Sequence, residues 1–374
     1  MNEPTSQHPM PAGAAGVALR TDIVVIGAGQ AGLSAAYHLK KQGVPPGKGF
    51  VVLDANPFPG GAWQHRWPTL TLSTVNRVHD LPGMRFTETT GEALSSVQAR
   101  LAVPEYFAEY EKRFGLPVYR PVRVLQVTDR ADHRLQVQTD QGPVSTRGII
   151  NATGTWNTPF IPDVPGRERF LGRQLHTQDY QNPHDFLGQH VLIVGGGISA
   201  LQLLDEISQV TETTWVTRRE PEFRKGPFDD EAGRAAVSLV EARVRAGLEP
   251  ESVVSVTGLM WTPQVEAMQQ RGVLSRLPMF QHITEKGVVW EDGRSLHVDV
   301  ILWCTGFRSS LSHLSPVNLR EDTGGITLTG RLATQVARDP RIHLVGHGPS
   351  ASTIGANRAG RAAVQELCAF LGIT

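Results

Sequence analysis

Two glycine-rich turns, GAGQAG from Gly27 to Gly32 and GGGISA from Gly195 to Ala200, constrain this chain more than any other feature. Each follows a short apolar run, Ile23 to Ile26 and Val191 to Val194, of the kind that forms a strand buried on both faces. Each then opens into a segment of helical periodicity. After the first turn, Leu33, Ala36, Tyr37 and Leu39 share one helical face before Gly43 ends it. Gly27, Gly29 and Gly32 suit a tight turn, a close approach of backbone to a pyrophosphate, and tight packing of helix on strand. The helix N-terminus, with Gln30 and Ala31 at its start, turns unpaired N–H groups toward the phosphates. In the second turn Gly195 and Gly197 precede a helix expected from Ser199, and Ala200 stands in the place of the third glycine. The expected fold is therefore α/β with two Rossmann-like dinucleotide-binding units.

The residue types that follow the turns assign them different ligands. The strand FVVLDAN ends in Asp54 and Ala55, with the carboxylate 22 residues beyond Gly32, where it can accept hydrogen bonds from ribose hydroxyls. The corresponding strand of the second unit, TTWVTRRE, ends in Arg218 and Arg219. Two planar cations at the adenosine ribose favour a 2'-phosphate, and hence NADPH over NADH.

At 374 residues the chain suits two domains. We divide it into a disordered lead-in over 1–20, a first unit over 21–158, an inserted NADPH-binding unit over 159–297, and a return segment over 298–374. Acidic and basic side chains balance at 36 each with no run of like charge, which argues against a nucleic-acid groove or a membrane-binding patch. No apolar stretch is long enough to span a membrane. The two cysteines, Cys304 and Cys368, form no CxxC pair, so electrons cannot pass to a vicinal dithiol. They suit a reducing cytoplasm. His343 and His347 lack the further ligands a metal site needs, and no metal is expected.

Between the two units the chain alternates recognisable pieces. Residues 103–115 read as an amphipathic helix stopped by Gly115. VRVLQVTD, HRLQVQTD and VSTRGIINATG read as an antiparallel meander that returns a strand to the main sheet and ends at Ala152-Thr153-Gly154. Pro159, Pro162 and Pro165 keep the next stretch extended. Residues 220–297 read as surface insertions, a helix, and a hairpin around Asp292-Gly293. The strand Val298 to Trp303 then leads into Cys304-Thr305-Gly306-Phe307 and back to the first unit.

FLGRQLHTQDY, Phe170 to Tyr180, stands between the two turns and has the spacing FxGxxxHxxxY. With both glycine turns, GGAW at Gly60–Trp63 and the turns at Thr153-Gly154 and Thr305-Gly306 in the same order, the chain over about residues 21–365 resembles the short bacterial flavin-containing monooxygenases, relatives of the Baeyer-Villiger monooxygenases. The resemblance implies a glutathione-reductase-like fold with FAD on the first turn. Gly61, Ala62 and Trp63 would run along the FAD, Val124 would lie by its adenine, Ala152, Thr153 and Gly154 would border it, and a helix starting near Thr353 and Ile354 would face its pyrimidine edge. Trp67 reads as a packing aromatic. Relatives carry an Asp before that helix where GHGPS stands here. NADPH would meet Gly195, Gly197, Ser199, Ala200, Arg218, Arg219 and the turn Cys304, Thr305 and Gly306.

The activity that the resemblance implies is oxygenation: reduced FAD captures molecular oxygen as a C4a-hydroperoxide and transfers one atom to a small thioether or amine, or to a ketone by Baeyer-Villiger chemistry. Asn76 is the candidate amide beside the flavin, with Ser73 or Thr74 as alternatives, because its offset from Trp63 departs from the longer enzymes. His176 would serve on the hinge side of the NADP site, or simply pack. Two other readings use the same motifs: an NADPH-dependent flavin oxidase or reductase, and a non-catalytic redox-sensing flavoprotein. Beyond oxygen and a small substrate, a second copy of the chain is a candidate partner.

Overall fold

The computed structural model describes residues 19–75, 78–91, 96–225, 230–250 and 258–373, apart from the side chains of 230–236. The strand Ile23–Ile26 sits inside a seven-stranded sheet in the order Leu328–Thr329, Gln335–Val336, Ile342–Leu344, Gly148–Asn151, Ile23–Ile26, Phe50–Leu53, Val118–Tyr119. Its four residues are all buried because the pleat sends Ile23 and Val25 into one core and Val24 and Ile26 into another. The first core lies under the helices Gln30–Lys41, Ala99–Phe114 and Thr353–Leu371; the second lies under the meander Val124–Asp129, Leu135–Thr139, Gly142–Thr146. Helices Gln30–Lys41 and Thr353–Leu371 pack side by side, close enough that a Cβ on Gly360 would lie 3.0 Å from Ser34 Oγ.

The second sheet is wholly parallel, in the order Arg276–Pro278, Thr213–Thr217, Val191–Val194, Val300–Trp303, Arg173–His176. It too separates two cores, Val191 and Ile193 facing one and Leu192 and Val194 the other. Parallel strands buried on both faces explain the near-continuous apolar runs in the sequence. A three-stranded antiparallel flap, His282–Thr284, Gly287–Val289 and Ser295–His297, carries the expected hairpin, with Gly293 at φ +84°.

Three boundaries differ from the sequence expectation. Val300–Trp303 does not return to the first unit: it pairs with Val191–Val194 and Arg173–His176, so the crossing falls at Cys304–Phe307. An apolar run buried on both faces fits either sheet equally well, and only the pairing decides. Leu19 and Arg20, assigned to the lead-in, pair in parallel with Val144 and Ser145 as an edge strand; residues 1–18 lie outside the described residues. The helix expected from 103 starts at Ala99 and carries Pro104 inside it, where the missing N–H forfeits the i−4 bond to Arg100 O.

Candidate functional site

The first glycine turn has three positions with three different surroundings. A Cβ on Gly27 would meet Ala152 O at 2.6 Å, and one on Gly32 would meet Gly27 O at 1.8 Å, so both glycines are required by contacts within the protein. A Cβ on Gly29 would meet nothing within 4 Å. The open position at the helix N-terminus, beside Gln30 and Ala31, is where a pyrophosphate fits. Asp54 and Ala55 follow the neighbouring strand; the buried Asp54 carboxylate takes a hydrogen bond from Asn56 N–H at 3.3 Å and an ion pair with Arg120 at 3.3 Å. Burial pushes its carboxyl up, while Arg120 pulls the other way. Arg120 is also held fork to fork by Glu111 at 2.6 and 2.7 Å, which fixes the guanidinium against Asp54. Val122 N–H donates to Asp54 O at 2.8 Å and sets the start of the Val124 strand beside it.

Gly61, Ala62 and Trp63 lie on a short 3-10 helix, Gly61–His65, and a Cβ on Gly61 would come within 3.0 Å of Gly29 Cα, so this helix abuts the glycine turn. Thr353 and Ile354 begin the helix Thr353–Leu371, capped by Ser352 Oγ accepting from Gly355 N–H at 3.1 Å. Between the two helix starts runs a loop not singled out in the sequence. His79 Nδ1 and Thr353 Oγ1 are 2.8 Å apart, Gln30 Nε2 donates to Asn357 Oδ1 at 3.0 Å, and Asn357 Nδ2 donates to Asp80 O at 2.7 Å. Gln30 Oε1 is buried without a partner, and Ile354 is 51% exposed. An orphaned acceptor, an open glycine and an uncovered apolar side chain in one place fit the docking of FAD. Asn76 lies outside the described residues.

The second turn repeats the design. A Cβ on Gly195, at φ +147°, would meet Cys304 O at 2.2 Å, and Gly197 faces open space. Ser199 and Ala200 follow in the helix Ile198–Ile207. Ala152 N–H donates to Ile26 O and Cys304 N–H donates to Val194 O, both at 2.8 Å, so the two strand-ending turns, Ala152-Thr153-Gly154 and Cys304-Thr305-Gly306, occupy equivalent places. Arg218 and Arg219 follow Thr213–Thr217, exposed and without ion pairs among the described residues. Arg276, which the sequence reading missed, joins them from the neighbouring strand, its guanidinium 3.3 Å from Thr217 Oγ1. Arg276 also pairs with Glu220 at 4.0 Å, and the exposed cations of Arg218 and Arg219 at this edge fit the 2'-phosphate of NADPH.

The two crossings run side by side. Thr153 Oγ1 donates to Ser310 O at 2.7 Å, Phe160 N–H donates to Gly306 O at 2.9 Å, and Thr305 Oγ1 donates to Phe160 O. His176 pins this junction. Its Nε2–H donates to Gly306 O at 2.9 Å and its Nδ1 accepts from Gln178 N–H at 3.3 Å. Burial lowers its pKa, so the ring is neutral with both nitrogens engaged, which suits positioning and leaves no lone pair for proton transfer. The motif ends in buried Tyr180, whose hydroxyl donates to Glu206 at 2.7 Å; the same carboxylate accepts from Trp67 Nε1 at 3.2 Å and Thr69 Oγ1 at 2.6 Å. Trp67 is 2% exposed, a packing aromatic as expected, and it also donates this bond across the two units.

Both cysteines are buried, Cys304 in the core of the second sheet and Cys368 in that of the first, and burial pushes their thiols up to about 12 and about 11. Beside the Gly61–His65 helix opens a polar cavity of about 320 Å³, bordered by Gln64, Arg66, Arg100, Trp156, Gln178 and Gln181.

Two dinucleotide sites joined by a double crossing define a class, and residues 24–346 match the model of the family described as pyridine nucleotide-disulphide oxidoreductase, to which this chain belongs. Within it, the chain is a flavin-containing monooxygenase, an enzyme that uses FAD and NADPH. A flavin-containing monooxygenase from Stenotrophomonas maltophilia is 36% identical and superposes with a TM-score of 0.78 over 94% of this chain and 99% of that one. An uncharacterized oxidoreductase CzcO from Bacillus velezensis is 26% identical over 314 residues, 82% of this chain and 86% of that protein. Senecionine N-oxygenase from Tyria jacobaeae is 23% identical over 339 residues, 82% of this chain and 61% of that protein.

Proposed function

We propose that this monooxygenase transfers one atom of oxygen to a thioether sulfur or an amine nitrogen of a small molecule. In the balance, NADPH, a proton, oxygen and substrate give NADP+, water and the sulfoxide or N-oxide. Bound FAD supplies the redox centre between NADPH and oxygen. The chain's own residues bind and orient: the open face of Gly29 and the Asp54 carboxylate hold FAD, while Gly197, Arg218 and Arg219 hold NADPH. His176 fixes the turn at Gly306 between them, and Asn76 is the proposed amide beside the flavin. The observation that carries the heteroatom preference is Tyr180, which ends the motif where Baeyer-Villiger enzymes have Trp and whose hydroxyl is committed to Glu206. A vicinal-dithiol relay is not available, since the chain's two cysteines sit in separate cores. With buried free thiols we place the protein in the cytoplasm.

The test is turnover with NADPH and a matched panel of thioether, tertiary amine and cyclic ketone, with products identified by mass. Sulfoxide or N-oxide in step with NADPH consumption supports the proposal. Lactone from the ketone with no heteroatom product, or hydrogen peroxide alone, contradicts it.

A further inference from the structure

We propose that the cavity beside the Gly61–His65 helix is an oxyanion receptor, in which Arg66 seats the carboxylate of a small organic-acid substrate and Arg100 stands at the rim. The word substrate rests on the monooxygenase reading; the receptor rests on the geometry. The Arg66 guanidinium lies 4.8 Å from the Trp156 ring and 5.7 Å from the Trp63 ring. Its Nε is buried without a partner, and no hydrogen bond or ion pair reaches the group from the described residues. The other largely buried arginines are treated differently: Arg120 is forked onto Glu111, and Arg134 donates to Ser145 Oγ at 2.9 Å.

A largely buried cation without a counter-charge is costly. Two indole faces offset part of that cost but leave its planar set of N–H donors unused. Burial alone lowers the Arg66 pKa, to about 10, with no acid acting on it, so the side chain remains charged at neutral pH. The ligand that uses such a fork is a planar oxyanion. Around it, the side-chain amides of Gln178 and Gln181 have no hydrogen-bond partner among the described residues, whereas Gln64 Nε2 is already donated to Gly61 O at 3.0 Å. Of the charged groups lining the cavity, Arg66 and Arg100 are cationic, and the Asp179 carboxylate is engaged by His176 N–H at 2.8 Å. His65, whose pKa burial lowers, is neutral. The balance is positive. A volume of about 320 Å³ admits a small molecule. The same short helix abuts Gly29 at Gly61 and borders the cavity at Gln64, so a ligand held there adjoins the path of the FAD. The phosphates of NADPH carry the same chemistry, but the second glycine turn and Arg218 and Arg219 already offer them a site.

The probes are 4-(methylthio)benzoate and its neutral amide, equal in size, titrated calorimetrically into the FAD-loaded protein. The wild type is expected to bind the benzoate at least tenfold more tightly, and Arg66→Gln to reduce the ratio to near one, with Arg66→Lys between. Equal binding of both probes by the wild type overturns the proposal, as does a ratio that survives Arg66→Gln. If Arg66→Gln loses FAD, seen in the flavin absorbance, the wild-type ratio and Arg66→Lys decide. A tenfold rise in KM for NADPH with the probe ratio intact shows that the oxyanion belongs to the cofactor and also overturns it. Preferred binding of the benzoate without its sulfoxidation upholds the receptor and counts only against the heteroatom reading above.

Discussion

The contrast between Gly29 and Gly32 makes a prediction that separates ligand binding from folding. Gly29 has φ −83° and ψ −170°, which alanine adopts freely, and a Cβ there meets no protein atom within 4 Å. Gly29→Ala reduces the entropy of the unfolded chain, worth about 0.4–1 kcal/mol in favour of folding. The weaker N-cap preference of alanine costs a similar amount, so the stability of the FAD-free protein should change by less than about 1 kcal/mol. The new methyl group stands where the pyrophosphate must approach. An overpacking cost of about 1–3 kcal/mol on binding translates into about 5- to 150-fold weaker FAD affinity. Gly32→Ala is the opposite case, because its Cβ would lie 1.8 Å from Gly27 O and the helix must leave the strand to relieve it. The expected loss of stability is about 3 kcal/mol or more. Denaturant unfolding of the FAD-free proteins and quenching of flavin fluorescence on titration measure the two effects. A Gly29→Ala protein that is destabilised like Gly32→Ala, or that binds FAD as the wild type does, would refute this reasoning.

Replacing Arg218 and Arg219 together by Gln should lower kcat/KM for NADPH at least tenfold with little change for NADH, consistent with the loss of charge-assisted bonds worth about 1.5–3 kcal/mol each; equal losses with both nucleotides would contradict the 2'-phosphate assignment. Tyr180→Phe leaves the Glu206 carboxylate with two donors and should cost about 1 kcal/mol of stability in denaturant titration; a cost near zero would show that the Tyr180 bond adds nothing to this cluster. His313, His343 and His347 are buried, and desolvation holds each imidazole down at about 4. The unfolded chain takes up these protons near pH 6.5, so stability should be complete above that pH and fall as pH drops toward 4, by on the order of 3 kcal/mol per histidine. Unfolding measured at pH 7.5 and pH 5 should show the fall, with a smaller slope in His343→Gln; a flat profile would contradict it. Neither Cys304 nor Cys368 should react with a thiol reagent in the folded state, and Cys304→Ala should retain NADPH-driven flavin reduction, whereas loss of that step would restore a thiol mechanism.

The parts legible in the sequence were those whose physical requirement is local. A glycine turn between strand and helix needs small residues at fixed offsets, and the contacts of Gly27, Gly32 and Gly195 are the reason. Phe170, His176 and Tyr180 were recognisable by spacing, yet the spacing did not say why they are needed. The bonds of His176 to Gly306 and of Tyr180 to Glu206 supply that reason. Glu206 and Arg276 escaped notice because a lone acid in a helix and a lone arginine in a strand carry no local signature. The Arg66 cavity was invisible because its walls come from Gln64, Arg100, Trp156 and Gln178, brought together only by the fold. Val300–Trp303 was placed in the wrong sheet because burial on both faces does not name a neighbour.

The central claim is that oxygen from the atmosphere ends up on the substrate. Turnover of the FAD-loaded protein with NADPH and a thioether under 18O-labelled oxygen tests it directly, with product mass and peroxide followed together. The account predicts one labelled atom in the sulfoxide for each NADPH consumed, with little hydrogen peroxide. Unlabelled or absent sulfoxide, with peroxide matching the NADPH consumed, would contradict it and leave an oxidase on the same scaffold.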